Sequence, residues 1–154
     1  VNAEDIQRFF RSLNILFGAM LAGQVVFMLT SMGLVLSGAA PFARSYHAQL
    51  KWLVPVLVFA VAIGALLLAN RRLGRARSLN LLTLKLQSYQ LAVVQHSGML
   101  NGAGTFTVLA FLLTGEPYYL IVFAAVLFLF FRQRPTIAHA RLSLGLSDTE
   151  LPAD

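Results

Sequence analysis

The chain contains no cysteine, which excludes disulfides, thiolate metal sites and cysteine nucleophiles. Charge is scarce as well: 12% of the 154 residues are Asp, Glu, Lys or Arg, about half of what the surface of a soluble domain needs. Only six residues are acidic, Glu4, Asp5, Glu116, Asp148, Glu150 and Asp154, and all lie outside the long apolar runs. No intramembrane carboxylate is therefore available as an acid, a base or a metal ligand. The three histidines, His47, His96 and His139, fall in three different segments and are not expected to meet at one metal. No phosphate-cradling glycine loop and no Ser/His/Asp arrangement is visible. Enzyme activity, a cofactor and a metal are accordingly not expected.

What the chain has in abundance is apolar sequence, 58% of all residues. Four runs stand out, at about 12–37, 50–70, 88–114 and 117–131, followed by a tail at 132–154. A spanning helix needs about 20 apolar residues, and the fourth run qualifies if it starts at the Pro117 turn. The expectation is an all-α membrane protein, one integral domain over 1–154 with four transmembrane helices. The first run lacks a small-residue cleavage pattern and is flanked by Arg8 and Arg11, so it reads as a retained helix.

The net charge of +6 follows from topology rather than from a nucleic-acid partner. Ten of the twelve basic residues lie in the N-terminal flank, the middle loop (Arg71, Arg72, Arg75, Arg77, Lys85) and the C-terminal flank (Arg132, Arg134, Arg141). The opposite side offers only Arg44 and Lys51. By the positive-inside rule both termini are expected to be cytoplasmic in a bacterial inner membrane, with membrane lipids as partners of the basic loop.

Local signals refine this plan. Asp5 is expected to cap a first helix from Ile6 to Leu36, and residues 37–48 form the larger external loop. Lys51 and Trp52 mark the outer boundary of a second helix that begins near Gln49 and continues past Asn70. Ser78 or Asn80 suits the N-cap of a long third helix. Gly115-Glu116-Pro117 reads as a tight turn before Tyr118 and Tyr119. Thr136 is placed to cap a short interfacial helix, and Ser147 to Glu150 has capping-box spacing.

Two further patterns concern the first and third helices. AMLAGQVVFML at 19–29 aligns with GMLNGAGTFTV at 98–108, with Met20/Met99, Leu21/Leu100, Gly23/Gly102 and Phe27/Phe106 identical. Such similarity is consistent with two parallel-repeat hairpins. Small residues recur four apart: Gly18 with Ala22, Ala19 with Gly23, and Gly98 with Gly102. This spacing lets helices approach closely in lipid, so the first and third helices are expected to form an inner layer and to support a homo-oligomer. The second and fourth would then face lipid.

The third helix is also the most polar. At about 100° per residue, Gln87, Gln90, Ser97, Asn101, Gly104 and Thr105 fall near one direction, with His96 and Thr107 on a neighbouring face. Gln24 is the matching polar residue of the first helix. Two readings stand. Gln24, Gln90, Ser97, Asn101 and Thr105 either line a wet path, with His96 as a titrating group, or make interhelical hydrogen bonds. The first implies a small channel or transporter, the second a membrane subunit.

Paired hairpins with Gly-rich first and third helices resemble the proteolipid ring subunit of rotary ATPases in its duplicated four-helix form. The second span, LVPVLVFAVAIGALLLAN, holds no carboxylate and neither does the fourth, which argues against an ion-carrying rotor. LLTGEPYYL at 112–120 and RPTIAHARLSLGLSDTE at 134–150 resemble a group of small uncharacterised four-helix membrane proteins of Bacteroidota-type bacteria. That resemblance implies a glutamate opening an E-G-x-A-x-F-like segment. Asn101-Gly102-Ala103-Gly104-Thr105-Phe106 stands there instead, so the position retains hydrogen bonding without charge.

Overall fold

The computed structural model describes residues 3–40, 44–79 and 81–146. It is all-helical: α1 (Ala3–Leu36), a 3-10 turn at Arg44–Tyr46, α2 (His47–Arg77), α3 (Leu82–Thr114), α4 (Tyr118–Arg132) and α5 (Ile137–Leu144). Ser147 and Glu150 lie outside the described residues, as does Asn80. Three helices, α1, α2 and α3, are long and apolar enough to cross a membrane. The fourth expected span is shorter. Its 15 residues rise about 22 Å at 1.5 Å each, less than the roughly 30 Å of a hydrocarbon core. After Arg132 the chain bends by 77° into α5.

The helix ends obey local chemistry, though not always the expected residue. Gly115 closes α3 in the left-handed region (φ 72°), its N–H bonded to the carbonyl of Phe111 at 2.7 Å. Thr136 caps α5, its hydroxyl accepting from the backbone N–H of His139 at 3.1 Å. α1 begins before Asp5, which therefore sits in its first turn, where a carboxylate still favours the positive end of the helix dipole. Ser78 does not open α3; its hydroxyl donates back to the Arg75 carbonyl at the end of α2, and Leu81 precedes α3 with no side-chain cap.

α3 is the central helix, packing against α1, α2 and α4, with α2 as its most extensive neighbour. Half of its most apolar stretch is buried, against 17% for α1 and for α2. The expected inner layer of first and third helices is thus corrected: α3 alone is central. α1 and α2 scarcely touch among the described residues, so the first two helices do not form a packed hairpin like α3 and α4.

α1 meets the bundle along one seam. Ile6, Phe10, Leu13, Phe17, Gln24, Met28 and Ser31 are its buried residues, spaced by threes, fours and a single seven. That is the a/d rhythm of a helix supercoiling along a neighbour. α4 repeats it with Tyr119, Phe123, Val126 and Phe130, and Phe130 meets Phe17 with ring centroids 4.5 Å apart. Away from the seams Ile15, Val26 and Leu29 of α1 and Val56, Phe59 and Ile63 of α2 are exposed, as suits helices bathed in hydrocarbon. At the basic end α5 folds back beneath the bundle. Ile137, Ala140 and Leu144 join a cluster with Ile6, Phe10, Ala76, Leu86 and Tyr89.

Candidate functional site

The polar residues of α3 are divided between two places. Near the middle of the bundle Gln24 of α1 is 3% exposed and reaches onto α3. Its Nε2 donates to the backbone carbonyl of Asn101 at 3.0 Å and, more weakly, to that of Leu100 at 3.5 Å. The contact depends on Gly104: a Cβ there would lie 2.5 Å from Nε2 and 2.8 Å from Oε1 of Gln24. Beside it runs a shallow groove of about 180 Å³ between α1 and α3, lined by Ala19, Gly23, Gln24, Asn101 and Thr105. The interhelical hydrogen bond expected of Gln24 is present, but its acceptor is main chain rather than the Asn101 side chain.

The second place is a cavity of about 330 Å³ at the basic end, between α2, α3 and the α4–α5 corner. His96 and Ser97 line its inner part, and Asn70, Tyr89, Arg132 and His139 also face it. The Tyr89 hydroxyl lies 3.2 Å from Nδ1 of His139, tying α5 to α3. Arg77 adds a second tie, with Nε donating to the Ser143 carbonyl at 2.8 Å and Nη2 to that of Leu142 at 3.4 Å. A cation there also complements the negative end of the α5 dipole. His96 and His139, expected to lie apart, line one cavity because the bend after Arg132 turns α5 underneath α3. Among the described residues no group of three His, Asp or Glu could hold a metal.

Between the two places the polar line is interrupted. Leu100 is buried with Phe17 and Phe130, separating Ser97 from Asn101 along α3. Gln90 is exposed and lines neither cavity. The buried hydroxyls of Thr107 and Thr114 donate to carbonyls four residues back in their own helix, Ala103 at 2.9 Å and Ala110 at 2.7 Å. This is how an apolar helix carries threonines without leaving them unsatisfied.

Among the described residues nothing packs closely on the small-residue ridges. Gly18, Ala19, Ala22 and Gly23 of α1 and Gly98 and Gly102 of α3 are exposed, and a Cβ at any of the four glycines would meet nothing within 4 Å. Sequence spacing puts Gly104 on the polar face of the third helix but does not show that the Gln24 amide fills the space beside it. It misses the set Tyr89, Arg132 and His139, which meet through a fold-back that no local periodicity reveals. No protein-family profile, curated protein or solved structure matches the chain.

Proposed function

We propose that the chain is a non-enzymatic integral membrane subunit that assembles, with copies of itself or beside a partner, through the open small-residue faces of α1 and α3. In this reading it crosses a bacterial inner membrane four times, α4 completing the fourth pass, with both termini and the basic end in the cytoplasm. The observation that carries it is the idleness of four glycines. A helix-interior glycine costs about 0.5–1 kcal/mol relative to alanine. Among the described residues Gly18, Gly23, Gly98 and Gly102 have no neighbour that needs their small size, whereas Gly104 has one. Close approach of a helix from outside supplies the missing reason, since association in lipid rests on packing between small residues.

The experiment is the stoichiometry of the protein extracted into lipid nanodiscs. An oligomer or complex is expected, dissociated by Gly98→Leu or Gly102→Leu but not by Gly33→Leu, which alters an equally open glycine off the ridges. A monomer, or an assembly indifferent to both ridge substitutions, overturns the reading. Transport along α3 has support only where the cavity ends at His96, and packing of Leu100 beyond it argues against a continuous path.

A further inference from the structure

α2 and α4 both pack on α3 but scarcely touch each other among the described residues, so a cleft separates them with α3 as its floor. At the basic end α5 closes this cleft. Arg77 of α2 donates to the Ser143 and Leu142 carbonyls, and the Tyr89 hydroxyl holds His139. What remains is the cavity of about 330 Å³, whose free side lies between Leu66 and Asn70 of α2 and Arg132 of α4, all three exposed. Arg71 and Arg72 follow Asn70 directly and set this level at the membrane–water boundary. A cavity opening sideways at that depth meets lipid headgroups.

Its walls are divided in the same sense. Asn70, Arg132, Gln133, His139 and Ser143 supply polar groups, whereas Leu66, Ala69, Leu73, Ala92 and Val93 are apolar. Arg132 makes no ion pair among the described residues, and its guanidinium presents a fork of donors suited to a phosphate. From the cavity an apolar track leads into the membrane. Phe59, Ile63, Leu66 and Asn70 are spaced by four, three and four, so they share one face of α2, and all are exposed.

We infer that this cavity holds the phosphate and glycerol backbone of one anionic phospholipid taken from the bilayer, with the phosphate on Arg132 and Asn70 and a chain along Leu66, Ile63 and Phe59. Size agrees: the volume holds roughly ten non-hydrogen atoms at ~30 Å³ each, about the number in a phosphate joined to glycerol. Charge agrees as well. One phosphodiester and one guanidinium cancel, so nothing uncompensated enters a site of low dielectric. A zwitterionic lipid brings its own cation, which Arg132 repels. A fatty acid offers two oxygens to a wall with five polar residues, whereas a phosphodiester offers four. Basic pockets between spanning helices are suited to such headgroups on general grounds. The proposal is independent of self-association, since none of these residues lies on the small-residue ridges.

The test uses the full-length protein in mixed micelles and counts the lipid retained per chain by native mass spectrometry. Dioleoyl phosphatidylglycerol is expected to saturate at one molecule per chain and to bind about tenfold more tightly than dioleoyl phosphatidylcholine. Arg132→Gln, at an exposed position that the packing does not need, should erase that preference. Arg134→Gln removes the same charge two residues on, outside the cavity, and should preserve it. Ala69→Phe narrows the cleft from a half-exposed position and should weaken the lipid about tenfold without loss of fold. Glycerophosphoglycerol carries the same head without chains and should fail to displace the lipid at equal concentration, as should oleate. Displacement by either, equal retention of phosphatidylcholine, equal loss in Arg132→Gln and Arg134→Gln, or unchanged binding in Ala69→Phe overturns the inference.

Discussion

Nε2 of Gln24 lies 3.0 Å from the carbonyl oxygen of Asn101, and the Gln24 amide occupies the place where residue 104 would carry a side chain. Gly104 and Gln24 therefore act as one unit. Gly104→Ala should destabilise the fold by about 1–3 kcal/mol through overpacking, set against a gain of about 1 kcal/mol in helix propensity. Gln24→Ala removes the amide that clashes. In a double-mutant cycle read by unfolding in mixed micelles, the coupling should be about 1 kcal/mol or more, with the second substitution relieving the first. Additive effects would mean the two side chains do not share that space.

α5 is held by three small devices: the Thr136 cap, the Arg77 contacts and the Tyr89–His139 pair. Thr136→Ala should cost about 1 kcal/mol and Arg77→Ala under about 1 kcal/mol, because the arginine is exposed to solvent. Both should raise amide hydrogen exchange over residues 137–144 and leave the α1–α3 seam protected. Equal protection of α5 in the variants would show that its apolar face alone holds it.

The glycines should divide by geometry. Gly115 has φ 72°, so Gly115→Ala should destabilise by about 1–2 kcal/mol from left-handed strain. Gly33 sits in a helix with open space around it, so Gly33→Ala should stabilise by up to about 1 kcal/mol. Gly102→Leu should leave the unfolding of the isolated chain nearly unchanged while Gly104→Leu prevents it from folding. Melting curves of the four variants in one detergent would show whether the signs are right.

The long helices were legible because a bilayer imposes length and apolarity on each run, and Gly115 and Thr136 because capping is local. The inner layer was misread. Small residues at Gly18, Ala22, Gly98 and Gly102 drew attention, whereas the contact surface of α1 was written in large side chains at heptad spacing, Ile6, Phe10, Leu13 and Phe17. Polarity on α3 was visible; its partition was not. Whether Ser97 and Asn101 belong to one path depends on where Leu100 packs, and Phe17 and Phe130, far away in sequence, decide that. The meeting of Tyr89 with His139 follows from a 77° bend at a segment whose composition only signals a break.

The bond between Gln24 and α3 joins residues 77 positions apart, and α1 finds little support from α2 among the described residues. A chain emerging from the ribosome therefore carries α1 into the membrane long before its binding seam exists. During that interval the Gln24 amide has no intramolecular acceptor on α3, and the hairpin of α1 and α2 has little to hold it closed. Closure of the α1 seam therefore waits on the synthesis of α3, and until then the Gln24 amide must find water or another donor and acceptor outside that seam.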